Sequence, residues 1–264
     1  MHQLLAVAAF HKASSLQADL EQRRQYSLRA LKHQTEGASI LRYRLGRLTP
    51  ENSHTCLETA TLLTIGSFAA KSDAQPRLND LISIFFSCRG LLAISRSAMD
   101  TLREGPLREK FTAGKYTRDA PALRKVCEIL YGLSGRLGEV HKVATARDDN
   151  PLDIVQTEIY RLIRIIHEAV ETAFAPPEWR VVLLWPMTFS DTFIDLLSQK
   201  DHLALVLIAH FCAIVHLTEP FAWWVKGWGP SVLQDVQWHL AGSCYESLLQ
   251  WPLRSAGPSA ALTV

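Results

Sequence analysis

The sequence has almost no net charge with which to attract a charged partner. Its 28 lysine and arginine residues nearly balance 26 aspartate and glutamate residues, and the net charge is +2. Domains that bind nucleic acid or acidic membranes usually carry a clear basic excess. The overall charge therefore predicts no direct binding of nucleic acid by this chain and gives no reason to expect an acidic membrane as a partner.

Cysteine patterns that hold a metal or a redox pair are also missing. The five cysteines are widely spaced, and no CxxC pair occurs. We interpret them as small buried hydrophobic residues of a protein in a reducing, intracellular compartment, the cytoplasm or the nucleus. The sequence contains no GxGxxG, phosphate-loop, HExxH or GxSxG motif, and we predict no cofactor.

One acidic segment resembles the metal-binding motif of terpene cyclases. It runs from Asp148 to Asp153, but Pro151 falls inside it. Carboxylates at the start of a helix are already explained by capping and by the helix dipole. We therefore predict no metal site.

Long apolar runs and alternating strand patterns are absent too. The least polar segment, Leu203 to Val215, is shorter than the roughly 20 apolar residues that a membrane span needs. The N-terminus lacks the basic start and small-residue cleavage site of a signal peptide. The segment closest to a strand is Val181–Pro186, which is too short and ends in proline.

Apolar residues instead recur at the helical steps of three and four. This pattern predicts an all-α, single-domain bundle of about 8–10 helices over residues 1–252, with a disordered tail over residues 253–264. We expect helices over 2–12, 16–45, 50–70, 76–104, 121–138, 151–175, 190–199, 201–216 and 231–249. In the second helix we expect Leu28, Leu31, Leu41 and Leu45 to face the core.

The chain is organised around its last third, which holds all seven tryptophans. The segment from Leu203 to Val215 has His210 as its one interior polar residue. A helix that is apolar on every side is buried on every side, so we predict a central helix here. His210 is either a core histidine bonded to a carbonyl or a polar group in a ligand pocket that could also act as a proton donor.

The tryptophans allow two interpretations. Trp185, Trp223, Trp224 and Trp228 lie near chain reversals, where they either fill the core or line an apolar pocket. If the pocket is catalytic, the polar candidates are His210, Asp195 and Arg89.

Several segments resemble a known family. They include RRQYSLRALKHQTEGASILRYRL, ISIFFSCRGLLAI, LLWPMTFSDTFIDLL, LALVLIAHFCAIVH, WWVKGWGPSVLQDV and LLQWP. In this order they resemble the C-terminal region of fungal zinc-binuclear-cluster transcription factors of the sterol uptake control type. The resemblance implies an all-helical effector domain that binds a sterol and represses the factor until sterol falls. By position, the pocket would be lined by Phe189, Phe193, Phe211, Trp223, Trp224 and Trp228.

The family's cysteine-rich DNA-binding module is not in this sequence, which leaves two main hypotheses. The first is a regulatory domain that binds a hydrophobic polycyclic small molecule, a sterol or a terpenoid, with a homodimer as a further expectation. The second is a cofactor-free enzyme of secondary metabolism, a cyclase, isomerase or pericyclase such as a Diels–Alderase, acting on a terpenoid or polyene. A helical scaffold without a ligand is the third.

Overall fold

A computed structural model describes residues 1–16, 18–72, 74–104, 120–144, 150–171 and 176–257 of the chain. Every regular element in these ranges is helical, which confirms the all-α class. The eleven α-helices of the described ranges are α1 (His2–Ser15), α2 (Leu20–Leu45), α3 (Pro50–Ala69), α4 (Leu78–Glu104), α5 (Pro121–Ala144), α6 (Asn150–Glu171), α7 (Pro177–Met187), α8 (Asp191–Ser198), α9 (His202–Thr218), α10 (Trp228–Leu240) and α11 (Gln250–Ala256). Two 3₁₀ helices, η1 (Trp223–Val225) and η2 (Cys244–Leu249), flank α10.

The central helix is α9, as predicted. Asp201 caps it by accepting hydrogen bonds from the main-chain N–H groups of Leu203 and Ala204, at 2.9 and 3.2 Å. Every residue from Leu203 to Val215 is buried. The helix contacts α5, α6, α7, α8, α10, α11 and both 3₁₀ helices. Burying each large apolar side chain stabilises the fold by about 1.5–3 kcal/mol, so α9 is the main apolar anchor of the bundle.

Helix α10 approaches α9 more closely than a side chain would allow. A β-carbon on Gly229 would lie 2.6 Å from the carbonyl oxygen of Cys212 and 2.8 Å from Cβ of His216. Only glycine permits this contact between the two helices.

The boundaries of two predicted helices and of the predicted tail are wrong. Helix α5 does not end near Gly138 but continues to Ala144, because Val140 packs against the core and the buried His141 hydrogen-bonds with the hydroxyl of Tyr245 at 2.7 Å. The predicted helix over 231–249 starts earlier, at Trp228, and breaks after Leu240, where Gly242 adopts a left-handed φ of 74°. The predicted tail is helical up to Ala256 in α11, and residues 258–264 lie outside the described ranges.

The prediction for the buried face of α2 is also largely wrong. Leu28, Leu31 and Leu45 are exposed, and of the predicted face only Leu41 is buried. The buried positions of this helix are Ala30, Gly37 and Leu41. Small residues occupy the buried face because they allow α1 to approach closely. Gln3 of α1 lies against Gly37 and donates a hydrogen bond to the carbonyl oxygen of Gln34.

Within the described ranges no single helix is both long and apolar enough to cross a membrane. Helices α7 and α8 pass that test only as a pair, and they are bent by 94° relative to each other.

Candidate functional site

The predicted ligand-binding residues form two separate aromatic clusters. The first, the Trp185 cluster, consists of Phe85, Trp185, Phe189, Phe193 and Phe211. The second, the Trp228 cluster, consists of Phe68, Trp224 and Trp228. Trp223 belongs to neither cluster and lies against His11, with ring centroids 5.0 Å apart. The residues expected to line one pocket therefore lie in two clusters, and Trp223 lies apart from both.

The Trp185 cluster lies where α7, α8 and α4 meet the central helix. The Trp185 ring is 4.6 Å from Phe189 and 4.7 Å from Phe211, measured between centroids. Ser190 caps α8 by accepting a hydrogen bond from the Phe193 N–H at 3.2 Å, and the Phe193 side chain is fully buried. Edge-to-face ring pairs stabilise a fold by about 0.5–1.5 kcal/mol each, in addition to the free energy gained from burying the rings. The rings thus contact one another directly.

Trp185 brings an unpaired donor into this cluster. The side chain is completely buried, and its indole Nε1 has no hydrogen-bond partner among the described residues. Buried indole N–H groups usually find an acceptor, because leaving one unpaired costs about 1–3 kcal/mol.

His210, on the central helix, is a second buried polar group with an unpartnered atom. Its Nδ1 lies 2.9 Å from the carbonyl oxygen of Val206, so the proton is on Nδ1 and Nε2 carries the lone pair. Nε2 is buried and has no partner in the described part of the chain, while the ring stacks on Trp251 at 5.5 Å. Burial, aided by the positive charge of Arg136, lowers the pKa of His210 to about 4. The imidazole is therefore a neutral hydrogen-bond acceptor at pH 7.

Arg89 and Asp195 do not join His210. Arg89 forms an ion pair with Asp191 at the N-terminal end of α8, and the Asp191 side chain is exposed. An arginine in an apolar run must reach a partner or the surface, because burying it unpaired is costly. Asp195 is exposed on α8, whereas its neighbours Phe193, Ile194 and Leu197 are buried. The three catalytic candidates are thus in three different environments.

Sequence reasoning missed Glu158. The residue is 1% exposed, and its Oε1 lies 2.5 Å from Nη1 of Arg161 and 3.2 Å from Oγ of Ser190. Its other oxygen, Oε2, is buried without a partner among the described residues. Burial raises the pKa of Glu158, although Arg161 and Ser190 oppose this. The signal in the sequence was a carboxylate between the buried Val155 and Ile159 of α6.

A surface depression of 680 Å³ lies between the start of α4 and α10. It is lined mostly by polar residues and by Trp238, and none of the predicted ligand-binding residues lines it. Its carboxylate Asp235 accepts a hydrogen bond from the N–H of Leu78 at 2.9 Å and so caps α4.

The cysteines and acidic residues form no metal-binding group in the ranges that the structure covers. Cys56, Cys88, Cys127 and Cys212 are buried, as predicted, whereas Cys244 is exposed. Asp148 and Asp149 of the acidic segment lie outside the described ranges.

Comparison of the chain with models of protein families, with curated proteins and with solved structures gives no match.

Proposed function

We propose that this protein binds an apolar, polycyclic small molecule that carries a hydroxyl group, a sterol or a terpenoid alcohol, beside the central helix. The observation that carries the proposal is the fully buried His210, whose Nε2 accepts no hydrogen bond from the described residues. A lone-pair nitrogen in an apolar core needs a donor, and a hydroxyl on an otherwise apolar ligand supplies one.

The surroundings of His210 suit such a ligand. Trp251 stacks on the imidazole ring, and Phe211, which lies about 100° further round α9 than His210, contacts Trp185 in the Trp185 cluster. Aromatic side chains with a few inward polar atoms are the usual lining of a small-molecule site. The indole N–H of Trp185 offers the donor that a carbonyl or ether oxygen of the ligand would require.

Binding next to Phe211 requires the rings of the Trp185 cluster to separate, since they contact one another without the ligand. The apolar surface of a polycyclic ligand replaces the ring contacts that are lost. Tryptophan fluorescence should therefore report binding. The resemblance to the effector domain of sterol uptake control factors points to the same ligand class.

The test is a fluorescence titration with cholesterol and with 5α-cholestane, which lacks the hydroxyl group. We expect cholesterol to bind roughly tenfold more tightly than cholestane, because cholestane leaves Nε2 unpaired. His210→Phe should remove this preference while keeping an apolar ring in place. His167→Phe, at an exposed position of α6, is the matched control and should leave the preference unchanged. Absence of a response to either compound would falsify the proposal.

A second candidate is a cofactor-free cyclase or isomerase acting on a terpenoid or polyene. The observation that favours it is Glu158, a buried carboxyl group with a raised pKa and one unpartnered oxygen. Such a group is suited to general acid catalysis in an apolar site. Product analysis by mass spectrometry after incubation with polyene substrates tests this candidate, with Glu158→Gln as the inactive variant and the exposed Glu168→Gln as the active control.

A further inference from the structure

The net charge of the whole chain conceals an uneven distribution. Helix α2 has six arginine or lysine residues and two glutamates, which give it a net charge of +4. The chain as a whole has a net charge of +2, so the remaining residues are slightly acidic. A basic surface is therefore concentrated on one helix of 26 residues, about 39 Å long.

The same helix carries a row of leucines, arginines and two small residues, all of which are exposed except the half-buried Ala38. The row follows steps of three and four and lies within about 100° of the helix circumference, away from the buried positions Ala30, Gly37 and Leu41. We name it the leucine–arginine stripe, and it consists of Leu20, Arg24, Leu28, Leu31, Thr35, Ala38, Arg42 and Leu45.

These leucines are unusually accessible. Leu20 is 72% exposed, Leu28 is 58% exposed and Leu31 is 46% exposed. Arg24 and Arg42 lie within the stripe and form no ion pair with any residue in the described ranges. The stripe thus joins unpaired positive charge to uncovered apolar surface over the full length of α2.

We propose that the leucine–arginine stripe docks on the surface of an anionic lipid bilayer. Basic amphipathic helices bind there by placing leucines at the boundary between headgroups and acyl chains, while arginines bind the anionic headgroups. The long alkyl stems of Arg24 and Arg42 allow the guanidinium groups to reach the headgroup layer from within the apolar stripe.

Charge disfavours a second copy of the chain as the occupant. Parallel pairing of two stripes places each arginine against its own copy. Antiparallel pairing about His33 places Arg24 of one copy against Arg42 of the other. Like charges facing each other across a helix pair destabilise it. Nucleic acid fits less well, because it would leave the leucines without apolar partners.

Membrane docking does not depend on the proposed function, since the stripe is distant in sequence from α9. Vesicle binding and ligand binding can therefore be tested independently. The experiment is co-sedimentation of the full chain with vesicles of equimolar phosphatidylserine and phosphatidylcholine, and with vesicles of phosphatidylcholine alone. We expect binding to the anionic vesicles only, with a component that persists at high salt because the leucines insert.

Matched variants distinguish insertion of the leucines from general electrostatic attraction between α2 and the anionic vesicles. Leu28→Gln/Leu31→Gln, which removes apolar surface without changing the charge, should reduce vesicle binding by at least about tenfold, and Arg24→Gln/Arg42→Gln should reduce it to a similar extent. Arg29→Gln/Lys32→Gln removes the same charge from the same helix outside the stripe and should have a smaller effect. All these positions are exposed, and circular dichroism verifies that each variant remains folded.

Three results would overturn the proposal. The first is equal binding to both vesicle types or to neither. The second is a leucine variant that binds vesicles as tightly as wild type, which would show that binding depends on charge and not on insertion of the leucines. The third is a dimer in sedimentation velocity, or a complex with duplex DNA, that replaces vesicle binding.

Discussion

The indole Nε1 of Trp228 donates a hydrogen bond to the main-chain carbonyl oxygen of Phe68 over 3.0 Å. This bond joins the start of α10 to the end of α3, and the two rings pack edge to face at 4.9 Å. The same carbonyl oxygen also accepts a hydrogen bond from the N–H of Lys71 at 3.1 Å. Trp228 therefore acts as an anchor between the first and last parts of the bundle.

Replacing Trp228 by phenylalanine should destabilise the protein. The variant loses one buried hydrogen bond and leaves a small cavity, although the Phe68 oxygen keeps its bond to Lys71. We expect the free energy of unfolding to fall by about 1–3 kcal/mol in urea denaturation. Trp238→Phe is the control, because Trp238 is 73% exposed, and it should change the value by less than about 0.5 kcal/mol. Equal effects in the two variants would mean that Trp228 has no anchoring role.

Two glycines should respond to alanine in opposite directions. Gly229→Ala places a β-carbon 2.6 Å from the Cys212 carbonyl oxygen, so α10 must move away from α9. We expect a loss of about 1–3 kcal/mol in the free energy of unfolding. Gly132→Ala adds a methyl group on the exposed side of α5, with nothing within 4 Å, and should stabilise by up to about 1 kcal/mol. Thermal melts of the two variants should shift to opposite sides of wild type.

Local signals made most of the helices predictable, although α7 (Pro177–Met187), which contains the segment closest to a strand pattern, was not among the predicted helices. Ser190 caps α8 and Asp201 caps α9, and Thr49 with Pro50 marks the start of α3. Such signals depend only on neighbouring residues along the chain, and they can therefore be recognised from the sequence. Glycines were less reliable, since α5 continues past Gly132, which is exposed, whereas Gly242 ends a helix through its left-handed backbone.

The faces of helices and the arrangement of the site depend on long-range contacts, which the sequence does not encode locally. In α2 the leucines suggested a buried stripe, but Gly37 admits Gln3 from α1 and turns that stripe outward. Trp224 and Trp228 pair with Phe68 of α3, whereas Trp185 pairs with Phe211 of α9. No periodicity predicts which of these helices meet.

The burial of His210 predicts a loss of stability in acid. Its pKa is about 4 in the folded protein and about 6.5 when unfolded, so the unfolded chain binds more protons between these values. Stability from this group is present above pH 6.5 and is lost as the pH falls toward 4. The expected loss is about 2–3 kcal/mol.

The difference between wild type and His210→Phe isolates this effect. Glu158 has a raised pKa and acts in the opposite direction, because the folded state then binds more protons above pH 4.5. Glu158 is present in both proteins and cancels in the comparison. Urea unfolding at a series of pH values should therefore show that the variant loses less stability than wild type on acidification. Parallel curves would show that His210 is not held in its neutral form.

Arg161 should be far more important for stability than its neighbour Arg164. Arg161 donates to Glu158 and also to the carbonyl oxygen of Thr188 at 2.8 Å, so it fastens α6 to the turn before α8. Arg161→Met leaves a buried carboxylate without its cationic partner, and we expect a loss of about 1.5–3 kcal/mol at pH 7. Arg164→Met removes only an exposed pair with Glu168 and should cost less than about 0.5 kcal/mol. The Arg161→Met deficit should shrink in acid, because protonation of Glu158 removes the buried charge that Arg161 compensates. A deficit that stays constant from neutral to acidic pH would show that Arg161 contributes through packing and its bond to Thr188 rather than through Glu158.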